Sequence, residues 1–356
     1  LNCDRCSKIP IFEDLSVCIL VPTEHHIDPV KNSLLLKNIN FKLVNDIFLV
    51  EEENLEKIIN LFLEMNLSCI EKRDIKLMPL SEKNEIKYEN LKKLKSLQYY
   101  IDFFSGKDIL YVLDKSSIKT FFQPIISANT GEIYGYEALS RGIREDGSII
   151  PPNELFSKAR NMDLLFFLDR LCRETVIKNA AKQNISKKVF INFIPTSIYD
   201  PEKCLKSTDE ALTKYRLDPK NIVFEVVETD YIEDYPHLNN ILSYYKGKGY
   251  STAFDDIGSG YSDINALLAL NPKYMKIDMS LIKNIDKQPK KQEKVVNYIK
   301  VAKENNIIAL AEGIERKEEA DVLIEMGIDL LQGYYYGKPC EIPQTTVAIE
   351  TKLFNK

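Results

Sequence analysis

Eight side chains in the C-terminal part of this sequence could do metal chemistry together: Glu137, Asn192, Glu225, Asp255, Asp256, Lys276, Glu312 and Gln332. Each lies in or directly after a short apolar run, and together they occupy seven consecutive expected strand ends. All but Lys276 carry a carboxylate or an amide oxygen. Carboxylates gathered at one rim repel each other, and burying them unpaired costs on the order of several kcal/mol. Bound divalent cations remove that cost. Carboxylates and an amide, with neither His nor Cys beside them, select Mg2+ or Mn2+ over Zn2+.

The elements that must position these residues are legible from about residue 114 onward. Strand candidates are Phe121–Ile126, Gly135–Leu139, Val189–Phe193, Ile222–Val227, Thr252–Asp255, Tyr274–Ile277, Ile307–Ala311 and Leu330–Tyr334. Amphipathic helical stretches, such as Leu164–Ala181 and Lys291–Asn305, separate most of them. Apolar strands alternating with helices indicate a parallel sheet covered by helices, and eight such units fit one (β/α)8 barrel. In that fold the active site forms at the C-terminal ends of the strands. Only Ser127 to Tyr134 separates the first two strands, and Thr130-Gly131 suggests a hairpin, so the first strand is expected to run antiparallel.

Upstream, the expected organisation is a small α+β module over residues 1–80, a helical linker over 81–111 and the barrel over 112–356. Ser16–Val21 and Asp46–Val50 read as strands, and Leu55, Ile58, Ile59, Leu61, Phe62 and Met65 recur at helical spacing. The stretch from Ser81 through Phe104 reads as one connecting helix ending near Gly106.

With 356 residues the chain is long enough for two domains, and its 44% hydrophobic and 28% charged residues are those of a globular protein. A net charge of -5 argues against a grip on long nucleic acid, though not against a small phosphate ligand held through a metal. No apolar run approaches the ~20 residues that span a bilayer, and no secretory signal is legible. The seven Cys read as reduced thiols in a cytoplasmic protein. Cys3-x-x-Cys6 could open a zinc site with Cys18, His25 or His26, but it has no second Cys pair, and ordinary thiols are the simpler reading. His25-His26 reads as a polar turn and His237 as loop. No P-loop is present, Gly258-Ser259-Gly260 departs from the dinucleotide-binding pattern, and His237 is the only His of the barrel region, against a Ser–His–Asp hydrolase.

The segment Tyr136-Glu137-Ala138-Leu139-Ser140-Arg141 resembles the signature of the EAL family of cyclic di-GMP phosphodiesterases. Further matches follow in family order: Gln123-Pro124, Asn192, Glu225-Val226-Val227-Glu228-Thr229 and Asp255-Asp256-Ile257-Gly258-Ser259-Gly260-Tyr261. Then come Lys276-Ile277-Asp278, Ala311-Glu312-Gly313-Ile314-Glu315 and Gln332-Gly333-Tyr334. The resemblance covers residues 112 to 345 and implies hydrolysis of cyclic di-GMP to linear pGpG with two Mg2+ or Mn2+ ions, and inhibition by Ca2+. It implies that Glu137, Asn192, Glu225 and Asp255 bind one metal, that Asp255 bridges to a second, and that Asp256 and Glu312 stand beside that second ion. Lys276 and Gln332 would act on the water, with Gln123, Arg141 and Glu315 on the substrate. Glu228 would anchor the loop Gly258–Ser262, which in the family touches a homodimer partner. Ile257 and Asp263 depart from the usual Phe and Ser of that loop; neither removes a ligand.

Two alternatives stand beside the phosphodiesterase. One is a non-catalytic cyclic di-GMP receptor, which typically lacks metal ligands that this sequence keeps. The other is a different Mg2+-dependent barrel enzyme in which Lys276 abstracts a proton. A regulatory role for the N-terminal module is expected only by analogy with the usual architecture of such chains.

Overall fold

The computed structural model describes residues 9–12, 16–51, 54–80, 88–198, 200–226, 235–258 and 268–347. The chain forms two compact units, residues 7–111 with 153–165, and residues 112–152 with 166–356.

The first unit is a five-stranded sheet with strand order β2-β3-β1-β4-β5. Its strands are β1 Ser16–Leu20, β2 Phe41–Val44, β3 Ile47–Glu51, β4 Lys76–Leu80 and β5 Lys95–Ser96. All described pairings in it are antiparallel. Helices Ile27–Leu36 and Leu55–Glu64 cover it, burying Val30, Leu34, Ile58, Ile59 and Phe62 against Val17, Ile19, Phe48 and Val50. Asn54 caps the second helix, its side chain accepting from the Lys57 amide at 2.8 Å. The expected strand over 46–50 begins one residue later: Asn45 and Asp46 both have positive φ and form the two-residue turn of the β2–β3 hairpin. Of the single connecting helix expected from Ser81 to near Gly106, residues 81–87 lie outside the described residues, and the rest is instead a 3-10 turn, Tyr88–Lys93, the short strand β5, and a helix Leu97–Ser105 that Gly106 closes. Ser96 breaks it, capping the last helix from an extended conformation. The His25-His26 pair lies in a 3-10 turn, with His26 Nε2 3.1 Å from Glu71.

The second unit is a closed barrel. Its strands are β6 Ile118–Ser127, β7 Ile133–Ile143, β9 Lys188–Phe193, β10 Ile222–Val226, β11 Ser251–Ile257, β12 Tyr274–Ile277, β13 Ile308–Ala311 and β14 Leu330–Gln332, with the short β8 Ile149–Ile150 added to β7. β6 pairs antiparallel with both β7 and β14 and closes the ring. Every other neighbouring pair in the ring is parallel. The antiparallel first strand is therefore present as the short hairpin required. Helices Leu165–Lys182, Tyr235–Gly247 and Pro289–Glu304 pack on the outside, where Phe193, Phe224, Tyr245 and Tyr250 form an aromatic cluster. His237 belongs to the second of these helices rather than to a loop, and its Nε2 lies 2.6 Å from the Ile198 carbonyl oxygen.

Alternation along the strands divides the barrel side chains into two sets. Ile191, Phe193, Phe224, Val226, Phe254, Met275, Ile277 and Leu331 face the helices. Ile125, Phe190, Val223, Ala253, Tyr274, Leu310 and Leu330 form a separate apolar layer inside the ring. The period of two then places the next inward residue of each strand one layer higher.

Candidate metal centre

Two residues beyond the apolar plug, on the same inward face, stand Asn192 after Phe190, Glu225 after Val223, Asp255 after Ala253, Lys276 after Tyr274, Glu312 after Leu310 and Gln332 after Leu330. On the antiparallel β6 the step reverses, and Gln123 precedes Ile125 by two. Glu137 follows Gly135, where a Cβ would meet the Lys188 carbonyl oxygen at 2.6 Å, so β7 and β9 can approach closely. The strands thus deliver one continuous polar layer.

Lys276 sits at its centre and is 1% exposed. Its Nζ lies 2.8 Å from Glu312, 3.0 Å from Glu225, 3.0 Å from Asp255 and 3.7 Å from Glu137. Burial disfavours its charge, but the surrounding carboxylates outweigh that and hold its proton well above the ordinary lysine range. Burial, reinforced by neighbouring carboxylates, pushes Glu225 and Glu312 well above the carboxylate range despite Lys276. Glu137 is also buried, yet it stays below that range because Lys276, Gln332 and Asn192 favour its charge. Gln332 Nε2 donates to Glu137 Oε2 at 2.5 Å and to Gln123 Oε1 at 3.2 Å, while Asn192 Nδ2 donates to Glu137 Oε1 at 3.2 Å.

Three observations fit a hard cation here. Glu225 is wholly buried and neither of its oxygens accepts a hydrogen bond, although one lies within ion-pair distance of Lys276. Gln332 Oε1 is a second buried acceptor without a donor. Oxygens of Asp255, Asp256 and Glu312 lie within 4.8 Å of one another, the one such acidic, His or Cys grouping among the described residues. Orphaned oxygen acceptors are what Mg2+ or Mn2+ would satisfy.

Asp255 and Asp256 reach this group together through a break in the regular strand. Adjacent strand residues face opposite ways, and two of them reach one site only where the alternation breaks. β11 runs on to Ile257, and its register with β12 shifts between Phe254 and Ile257. Asp256 adopts a left-handed conformation, φ 56°, within that bulge. Bulges re-aim side chains beside active sites, and Asp tolerates positive φ better than most residues. Glu137 likewise is not terminal: β7 continues to Ile143, paired with β6 as far as Gly142 and with β8 at Gly142 and Ile143.

Arg141 lies on this upper part of β7, donating to its neighbour Ser140's carbonyl at 2.8 Å and standing 5.9 Å from the Phe121 ring centroid. Burial lowers the pKa of its guanidinium, against the field of Glu137. Gln123 Nε2 donates to the Gly337 carbonyl. Glu315 is exposed beyond β13, and Glu228 and the loop residues 259–262 lie outside the described residues. Sequence reasoning missed Glu319. It is 2% exposed and accepts the amides of Asn284, Glu315 and Arg316, so it fixes the turn that follows Glu312. The signal available was a charged residue on the apolar side of helix Lys317–Glu325.

The architecture and this rim define a (β/α)8-type barrel offering clustered oxygen donors at the C-terminal face of its parallel strands. The chain belongs to the EAL domain family, which it matches over residues 107–339. It is 29% identical over 234 residues to the probable cyclic di-GMP phosphodiesterase PdeG of Escherichia coli (strain K12), covering 64% of this chain and 45% of that protein. It is 26% identical over 250 residues to the cyclic di-GMP phosphodiesterase PdeL of the same organism, covering 68% of this chain and 67% of that protein. The crystal structure of a standalone versatile EAL protein from Vibrio cholerae O395, in its c-di-GMP bound form, superposes with a TM-score of 0.60 and 39% identity, covering 65% of this chain and 96% of that chain. The first three curated relatives are much longer: the chain spans 34%, 45% and 30% of their lengths. No described helix is long and apolar enough to cross a membrane.

Proposed function

We propose that this chain hydrolyses cyclic di-GMP to linear 5′-pGpG at the polar layer of its barrel, using two Mg2+ or Mn2+ ions. The observation that carries the reading is the cluster of Glu137, Glu225, Asp255 and Glu312 around the single, buried ammonium of Lys276, with oxygens of Asp255, Asp256 and Glu312 close together. The relatives' activity and the ligand of the Vibrio protein supply the substrate class.

Glu137, Asn192, Glu225 and Asp255 would hold one cation, and Asp255, Asp256 and Glu312 the other. When bound, the cations supply charge stabilisation at the phosphate and lower the pKa of water. The water oxygen forms a bond to phosphorus as the bond from phosphorus to the ribose 3′ oxygen breaks. Glu312, a carboxylate of that cluster, would take the proton that water loses. The departing 3′ oxygen takes up a proton from solvent. Lys276 neutralises negative charge that develops at phosphorus. Its proton is held by the carboxylates around it, which opposes the alternative in which this lysine is a base. Arg141 holds a phosphate oxygen, with Gln123 and Glu315 on the substrate and Gln332 in the water network. Residues 1–111 are the regulatory part of this proposal, and the barrel is its catalytic and homodimer-forming part, acting in the cytoplasm.

Chromatography of the products formed from cyclic di-GMP and Mg2+ tests the reading. Linear pGpG is expected, and Glu137→Ala abolishes its formation. Ca2+, larger and looser in geometry, fills the site without supporting catalysis. Binding of cyclic di-GMP without turnover in Mg2+ or Mn2+ would assign the chain to the receptors instead.

A further inference from the structure

Behind the rim lies a charge pair that the proposed chemistry does not use. Arg173 and Asp169, one turn apart on helix Leu165–Lys182, are 0% and 2% exposed. Arg173 Nε donates to Asp169 Oδ2 at 2.9 Å, and a second guanidinium nitrogen donates to Thr208 Oγ1 on helix Lys206–Tyr215. The other oxygen of Asp169 accepts the backbone amide of Ile194 at 3.2 Å. Ile194 is the first residue beyond β9, two after Asn192, and Pro195 follows it. Its carbonyl in turn accepts from Ser197 Oγ at 2.7 Å. Both backbone groups of Ile194 are therefore tied by side chains where the β9 ladder ends.

A buried ion pair is weak support for stability, because apolar residues of similar volume often replace one without loss. It is a good way to fix a backbone atom, since a charged acceptor makes a strong, directed hydrogen bond. We infer that Asp169, held by Arg173, is a positioning residue. It clamps the end of β9 through the Ile194 amide, so that Asn192 keeps its Nδ2 on Glu137 and its amide oxygen free for a cation. This inference rests on the metal reading above.

The test uses the full chain and Mn2+ as probe, with free Mn2+ followed by electron paramagnetic resonance, so it does not depend on turnover. Three variants are compared with the unaltered chain: the apolar pair Asp169→Leu with Arg173→Met, Asn192→Ala, and the combination of all three substitutions. Circular dichroism and thermal melting first show that each is folded. The apolar pair is expected to weaken Mn2+ binding about tenfold or more, as loss of an outer-shell partner does. Added to Asn192→Ala, it is expected to weaken binding little further, because it acts through that residue. Should the apolar pair fail to fold, Asp169→Asn takes its place: it keeps an acceptor for Ile194 but loses the charge, and a weaker Mn2+ affinity is again expected. A folded variant with unchanged affinity, or an effect fully additive with Asn192→Ala, overturns the inference and leaves the metal site standing. Failure of the unaltered chain to bind Mn2+ overturns both.

Discussion

Two layers lie inside the same barrel, one two-residue step apart, and they obey opposite rules. The lower layer, built around Ile125, Phe190, Val223, Tyr274 and Leu310, is apolar and closely packed, and its tyrosine hydroxyls pair, Tyr134 with Tyr274 at 2.6 Å. The upper layer buries Glu137, Glu225 and Lys276, leaves Gln332 Oε1 without a donor, and sets several carboxylates around a single ammonium. The strands, pairing and period are shared, so backbone geometry does not explain the difference. What differs is what each layer serves: the lower one closes the barrel floor, and the upper one holds charge in readiness for ligands, at a cost in stability that functional sites commonly carry.

The comparison can be broken most severely at Glu225. Glu225→Gln is expected to lower the rate of hydrolysis by more than about 100-fold, exceeding the loss usual for an outer-shell partner. In metal-free buffer the same variant is expected to melt at a higher temperature, because a buried carboxyl and its repulsion are gone. Steady-state kinetics and thermal melting on one preparation check both signs. A lower-layer change should act oppositely. Phe190→Ala is expected to cost about 3–5 kcal/mol of stability, measured by denaturant unfolding, while the molecules that remain folded keep their metal affinity.

Lys276→Met sharpens the contrast further. It strands the surrounding carboxylates without a counter-ion and is expected to destabilise the metal-free chain by about 3–5 kcal/mol. Mn2+ at about 100 times its Kd for the variant should return roughly 2.7 kcal/mol of this, as any ligand bound only by the folded state does. A smaller effect concerns pH. Glu225 and Glu312 hold protons in the folded chain at pH values where an unfolded carboxyl, ordinarily near 4.5, has released them. The folded state then binds more protons, so in metal-free buffer these groups' contribution to stability is complete below that value and is lost as pH rises through their folded range. The difference between the unaltered chain and Glu225→Gln, melted across that range, isolates the effect and should shrink as pH falls.

Much of this was readable in the residues, because apolar runs and the helices between them report burial directly. All eight barrel strands and the antiparallel first strand follow from such runs and from the short Thr130-Gly131 turn. Strand β4 was not legible, since Pro79 argues against a strand. It is tolerated because β5 pairs with β4 only at Lys76 and Leu77, so β4 is an edge on that side at Pro79 among the described residues. β2 was missed because its four residues include Lys42 and it is largely exposed, leaving no buried face to detect. At the site, residue types pointed to hard cations, but the position of Asp256 depends on a bulge, which alternation cannot forecast. The layer rule is itself visible in the residues, as a polar residue two positions beyond an apolar one in strand after strand.

Anomalous diffraction from a crystal saturated with Mn2+ tests the central claim most directly. Two peaks are expected in the upper layer, one bounded by Asp255, Asp256 and Glu312 and one by Glu137, Asn192 and Glu225. A barrel with no Mn2+ within bonding distance of Glu225 or of the Asp255 cluster would contradict the account.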